Sequence, residues 1–417
     1  MKIRLNMSAS NILKWMLSIL LILDVNSVFY NLYNVNLHLS EFTCVIVAII
    51  AVNYFVFCRK SVSRSTLQFI ILYLILAFIF ASVSVESDSY IAYGVKFYFF
   101  IPCMILLYVS DEELGIDIIK KSSEFTCLLA LLSLIMYFLY YFIPSFGTIT
   151  IEWGSVSQVS NYIFFFAGQE QEIAGTHVMR NTGIFCEAPM YGFVLIMALS
   201  TQLFYYKTRN RFKIMILVVT IASTLSVSAI AMAIILFGIR YFVDDSVRDN
   251  DINTIVMAHR GQFKYFIGLF AVIVASIAIY YLFQFKVNTG LSLSKRLDDY
   301  IAGFVTWKSN PLFGAGYDNH DAIVENMAAW RIKYTEPGYS NSWMSILATC
   351  GICGFLLYLI SFVKMMRNSI KAKDIFMAVQ IFILILQMFT TTLAFHLYIL
   401  NYVALGFSYK SQSGKRM

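Results

Sequence analysis

Two polar runs hold most of the residues able to do chemistry outside a membrane. The longer, Lys286 to Ser342, offers cations, acids and an imidazole close together in the chain: Lys295 and Arg296, then Asp318, His320 and Asp321, then Arg331, Lys333 and Glu336. The earlier, Pro144 to Cys186, leads through Met-Arg-Asn-Thr-Gly-Ile-Phe-Cys-Glu-Ala-Pro (residues 179–189) into an apolar helix. A guanidinium can grip phosphate oxygens through two parallel hydrogen bonds, so Arg180, Arg296 and Arg331, with Lys333 beside them, suit a polyanionic head group. Glu187 and Pro189 are both favoured at a helix start, so Glu187 serves helix-end electrostatics as readily as chemistry. Between the cations, Asn310-Pro-Leu-Phe-Gly-Ala-Gly-Tyr317 carries paired glycines that allow a tight bend close to a ligand. Asn310, Gly314, Gly316 and Tyr317 therefore join the substrate-binding candidates.

The elements that position these loops follow from composition. With 59% apolar and 13% charged residues and a mean hydropathy of +0.71, the chain is an all-α polytopic integral membrane protein rather than a soluble one. Apolar runs long enough to cross a bilayer fall at about 12–30, 40–57, 67–85, 92–109, 125–143, 187–206, 212–227, 229–243, 263–285, 342–363, 375–393 and 394–409. That gives about 12 transmembrane helices in a single membrane domain over residues 1–417, with two large external loops, 144–186 and 286–342. The run 212–243 is too long for one ordinary span, and Ser223-Thr224, Ser226 and Ser228 mark a turn that divides it.

Short loops rich in Lys and Arg stay on the cytoplasmic side. With both termini cytoplasmic, Arg59/Lys60/Arg64, Lys120/Lys121, Lys207/Arg209/Arg211/Lys213 and Lys364/Arg367/Lys371/Lys373 all fall inside, provided 212–243 is split. The two long loops then face out, and their own cations need another reason. Once those clusters are assigned to orientation, the net charge of +7 makes no case for nucleic acid. The five histidines stand at 38, 177, 259, 320 and 396 without ligand spacing, so no metal is expected. Asp318, His320 and Asp321 read as a solvated acidic cluster. There is no nucleotide-binding fingerprint and hence no expected cofactor. Cys350-Gly-Ile-Cys353 lies in an apolar helix, where thiols behave as small hydrophobes. Two further readings are structural: Arg180 as an interfacial anchor, and Asn326–Lys333 as a short amphipathic helix on the membrane that accounts for Trp330 and Arg331.

Three segments in order resemble the O-antigen polymerase (Wzy) and O-antigen ligase family of bacterial envelope enzymes: Arg-Asn-Thr-Gly-Ile-Phe-Cys-Glu-Ala-Pro at 180–189, Asn-Pro-Leu-Phe-Gly-Ala-Gly at 310–316, and Asn-Ser…Gly-Ile-Cys-Gly at 341–354. The resemblance implies a bacterial inner-membrane glycosyltransferase acting on undecaprenyl-diphosphate-linked oligosaccharide, in the lipid bilayer, alongside a chain-length regulator and a flippase of the same pathway. It implies that Arg180 steadies the departing diphosphate, with Arg296 and Arg331 behind it, and that Glu187 or His320 deprotonates the acceptor hydroxyl. In the ligase pattern a His precedes Asn341, and here Ser340 stands in its place, which favours a polymerase. The pattern R-x15-G of some polymerase loops is absent after Arg180, Arg296 and Arg331. A flippase of the same lipid is the reading from another class, opposed by charge that gathers in loops and by the lack of two similar halves.

Overall fold

Apolar chain in a bilayer has no water for its backbone, so it must fold as helix or closed barrel, and here it is mostly helical. The computed structural model describes residues 7–29, 38–143, 149–153, 156–162, 164–173, 175–206, 208–243, 292–334 and 338–409. The first helices are α1 (Met7–Leu23), α2 (Leu39–Val52, continued by a π-helical turn Asn53–Phe57) and α3 (Arg64–Ser84). The next span, Ser87–Ser110, comprises a 3-10 turn, α4 (Tyr90–Tyr93), a π-helix Gly94–Phe100 and α5 (Ile101–Ser110). It is followed by α6 (Leu114–Phe142), α7 (Ala188–Phe204), α8 (Arg211–Ser223) and α9 (Val227–Phe242). The second polar run contains α10 (Ser292–Ser309), α11 (Asp321–Val324) and α12 (Ala329–Tyr334), and the chain closes with α13 (Ser342–Lys371), α14 (Ile375–Gln387) and α15 (Leu397–Ser408).

Among the described residues, five helices are long and apolar enough to span a bilayer: Leu39–Phe57, Arg64–Ser84, Ser87–Ser110, Leu114–Phe142 and Ser342–Lys371. Others expected to span, such as α7, α14 and α15, are apolar but shorter. The expected span 263–285 lies outside the described residues. The run 212–243 is divided as expected, into helices of 13 and 16 residues. At 1.5 Å per residue each is short of the ~30 Å hydrocarbon core. The linker Thr224–Ser226 makes a turn with Leu225 at φ 51°.

Helices α6, α8, α9 and α14 pack around α7, whose residues are buried almost throughout. Lipid tails are as apolar as leucine, so such packing depends on close approach and hydrogen bonds rather than on the hydrophobic effect. Gln380 Nε2 donates to Thr201 Oγ1 (2.6 Å), joining α14 to α7. Ser361 Oγ donates to the Val403 carbonyl (2.7 Å), joining α13 to α15 beside Gly406, where a Cβ would meet the Ser361 carbonyl oxygen at 2.5 Å.

Two expectations change. The all-α class becomes mostly α, because the first polar run folds into two small antiparallel sheets. β1 (Ile149–Trp153), β2 (Val156–Tyr162) and β3 (Phe165–Ala167) form one, and β4 (Glu170–Ile173) and β5 (Thr176–Met179) form the other. In the second run the helix expected over 326–333 is found at Ala329–Tyr334, with Arg331 buried and Ile332 exposed, and a longer amphipathic helix, α10, precedes it. Helix α10 exposes Leu297, Ile301, Phe304 and Val305 on one face and buries Asp298, Asp299, Ala302 and Thr306 on the other.

Both polar runs meet the same end of the helix bundle, together with the turns after α1 and α3. Cys186 N–H donates to the Asn26 carbonyl (3.1 Å) and Tyr317 N–H to the Ser84 carbonyl (2.7 Å).

Candidate functional site

Arg180 stands where the β-hairpin β4–β5 hands over to α7. Its backbone N–H donates to the Gln169 carbonyl (2.8 Å), and its Nε donates to the Thr224 carbonyl (2.9 Å) in the α8–α9 linker. Asn181 adds N–H to the Ser223 carbonyl (3.0 Å) and Nδ2 to Ser223 Oγ (3.1 Å). The guanidinium is thus oriented through one nitrogen, while its two Nη atoms have no hydrogen-bond partner among the described residues. Burial pushes its pKa down to about 10, with the charge of Glu187 acting the other way. A partly desolvated cation held by its stem, with the fork left over, is arranged to take an oxyanion. Glu187 is the N-cap residue of α7, yet its side chain makes no capping hydrogen bond. The first free N–H of that helix goes instead to Gln169 Oε1 (3.0 Å from Ala188 N).

The glycine-rich segment of the second run has a partner that its sequence did not announce. Inside α13, Gly351 leaves helical geometry (φ 61°, ψ −165°). Into that break the loop inserts its backbone: Ala315 N–H donates to the Ala348 carbonyl (2.8 Å), Gly316 N–H to that of Thr349 (3.1 Å), and Ile352 N–H to that of Pro311 (2.9 Å). A Cβ on Gly314, at φ 74°, would lie 2.5 Å from Cys350 N, and one on Gly351 would strike the Leu312 carbonyl. Asn310, Gly314 and Gly316, expected to approach a ligand, thus fix a broken helix. The carbonyls freed by the break are satisfied by the loop, which is how non-helical backbone survives at membrane depth. Tyr317 is buried, its ring against Tyr93 (5.1 Å), Phe97 (5.7 Å) and Phe395 (4.9 Å).

That clamp delivers Asp318 to the π-helix Gly94–Phe100. Asp318 sits at φ 58° with an exposed side chain, and His320 Nε2 lies 3.2 Å from its Oδ1. Its partial withdrawal from water would raise its pKa, but the hydrogen bond from His320 and the charges of Lys96, His320 and His396 outweigh that and hold it below its ordinary value. His396 in turn faces the fully buried Asp24 (Nδ1 to Oδ2, 3.4 Å), which also accepts from the first N–H of α15 (Leu397, 2.6 Å). Asp24 lies two residues from Asn26, whose carbonyl binds the Arg180–Glu187 segment. The two polar runs are therefore joined through the turn after α1: Cys186 binds Asn26, Asp24 faces His396, and the charges of His396, His320 and Lys96 act on Asp318.

Three of these, Asp24, Lys96 and His396, escaped the sequence reading. The signal for Lys96 was present, since it is the lone charge in an apolar run from Ala92 to Val109, and an ionisable residue in a span marks function by default. Asp24 carried the same mark, as an acid within the expected span 12–30, whereas His396 stands near the start of the span 394–409, where polar residues are common.

The remaining cations are placed differently. Arg331 is 2% exposed; its Nη1 pairs with Asp299 Oδ1 (2.6 Å) and Asp298 Oδ2 (3.3 Å), it donates to the Lys295 carbonyl (3.0 Å), and Nη2 donates to the Gly338 carbonyl. Expected at the substrate, it instead fastens α12 to the buried face of α10. Arg296 is half-buried and makes, among the described residues, one long contact from Nη1 to the Thr390 carbonyl (3.5 Å). Lys333 lies within α12, and its side chain is outside the described residues. Ser340, in the position a ligase would give to His, donates its hydroxyl to Asp299 Oδ2 (2.8 Å), while Asn341 caps α13 through Met344 N–H (3.1 Å). Among the described residues no group of three or more His, Cys, Asp and Glu could hold a metal ion.

No curated protein matches this chain. Residues 187–359 match the family model Wzy_C, described as O-Antigen ligase. This stretch carries Glu187, the inserted Gly314 loop and the broken helix, and it aligns the chain with the O-antigen polymerase and ligase family.

Proposed function

We propose that the protein is a polymerase that joins undecaprenyl-diphosphate-linked oligosaccharide repeat units at the outer face of the bacterial cytoplasmic membrane, building O-antigen or a related capsular or exopolysaccharide. The observation that carries this reading is Arg180, held by its stem at the α8–α9 linker with its fork unengaged among the described residues. The donor arrives activated, so the reaction draws on no nucleotide. An acceptor hydroxyl oxygen bonds to the donor's anomeric carbon as that carbon's bond to the diphosphate oxygen breaks. The electron pair leaves on undecaprenyl diphosphate, where Arg180 meets it, and the hydroxyl proton passes to His320, oriented by Asp318. Hydrogen bonds aimed at developing charge are the largest single source of such acceleration.

The loop-rich end is the outer one in this reading. The opposite end gathers Arg59, Lys60 and Arg64, Arg209, Arg211 and Lys213, and Lys371 and Lys373 in its turns, as the cytoplasmic side requires. A ligase is disfavoured by Ser340, which supplies no imidazole and is committed to Asp299. The test is complementation of a polymerase-deficient strain: a ladder of long chains supports the reading, whereas restoration of single capped units in a ligase-deficient strain would replace it by the ligase reading.

A further inference from the structure

Lys96 is 8% exposed inside a membrane-spanning helix, and among the described residues it makes neither an ion pair nor a hydrogen bond. A buried ammonium is costly unless an anion compensates it. Asp318 is near enough to feel its charge, but that carboxylate is engaged by His320. The backbone around Lys96 is π-helical over Gly94–Phe100, an irregularity frequent at functional sites. Tyr93 and Phe97, on the same π-helical stretch as Lys96 or next to it, pack on Tyr317, which places Asp318, the next residue in the chain, close enough to feel the lysine's charge while its side chain stays exposed.

We propose that Lys96 anchors a second anion site, which takes the diphosphate of the acceptor substrate. This rests on the reading of the protein as a transferase between two lipid-linked diphosphates. In such a transfer the donor loses its diphosphate at the reaction centre, whereas the acceptor keeps its own, one repeat unit away from the attacking hydroxyl. Two diphosphates must then be held at once, on separate cations. Arg180 and Lys96 lie on different elements, the first at the start of the segment leading into α7 and the second in the π-helix Gly94–Phe100.

The full chain in phosphatidylcholine nanodiscs would be titrated with radiolabelled farnesyl diphosphate. Two saturable equivalents are expected for the wild type, one for Lys96→Met, one for Arg180→Ala, and none for the double variant. Lys96→Arg should retain both. Replacing a buried charge that makes no ion pair among the described residues by an apolar side chain of similar length does not disfavour the folded state, so Lys96→Met should melt no lower than the wild type. Two equivalents retained by Lys96→Met, or a wild type whose binding is lost entirely with Arg180→Ala, would overturn the proposal. So would loss of the Lys96-dependent equivalent in phosphatidylglycerol nanodiscs, because the site would then belong to bilayer head groups. Arg180→Ala that keeps both equivalents, with Lys96→Met losing one, would uphold Lys96 and count against the functional role given to Arg180.

Discussion

Arg180 and Arg331 carry the same fork on the two polar runs, and the fold treats them in opposite ways. Arg331 meets two carboxylates and two carbonyls inside the second run. Arg180 meets one carbonyl through Nε and is otherwise open among the described residues. Arg331 is buried and Arg180 half-buried, but exposure is the smaller part of the difference. What separates them is how many donors the protein itself has matched. A guanidinium whose two Nη groups are both engaged by the protein has no fork left with which to grip a phosphate, and one fixed through Nε alone is oriented without being neutralised.

The largest expected effect lies on the closed side of this comparison. Arg331→Ala leaves Asp298 and Asp299 buried without their cation, a change that typically costs ~3–5 kcal/mol. The purified variant should melt well below the wild type and reach the membrane in reduced amount; a normal melting temperature would show that the network does not hold α12 and α10 together. On the open side, Arg180→Ala should leave melting and membrane level unchanged. Its polymerisation rate should fall about a hundredfold, on the order of 3 kcal/mol at the transition state. Full-length polysaccharide ladders from that variant would erase the distinction.

Arg180→Lys sharpens the comparison, since it keeps charge and loses the planar fork. A roughly tenfold loss, or ~1.4 kcal/mol, is expected, whereas a simple interfacial anchor would tolerate lysine. The pH response carries the same signature. With its pKa pushed by burial from 12.5 to about 10, Arg180 stays charged at neutral pH and loses its proton as pH rises through that value. Farnesyl diphosphate binding that depends on Arg180 should therefore fall near pH 10, and persistence of that component at pH 11 would contradict the assignment. The smallest expected effect is that of excess chelator, which should leave polymerisation unaltered. Loss restored by magnesium or manganese would make Asp318 and Asp321 metal ligands.

The membrane class, the division of 212–243, the two polar runs and the family resemblance were all legible in the sequence, because hydropathy and short motifs are local properties. The β-strands of the first run left a local trace too, in the alternation Ile149-Thr-Ile-Glu-Trp153, which a period-two reading would have found. Arg180 stood out from its neighbours alone. Local pattern could not tell that Arg331 faces Asp298 and Asp299 across some thirty residues of chain. Nor could it tell that the Gly314 loop completes a helix broken at Gly351, or that Lys96 lies beside Asp318. The sequence set which charges exist and roughly how deep they lie; only tertiary packing decided which of them meet a counter-charge within the protein, because that depends on contacts between elements far apart in the chain.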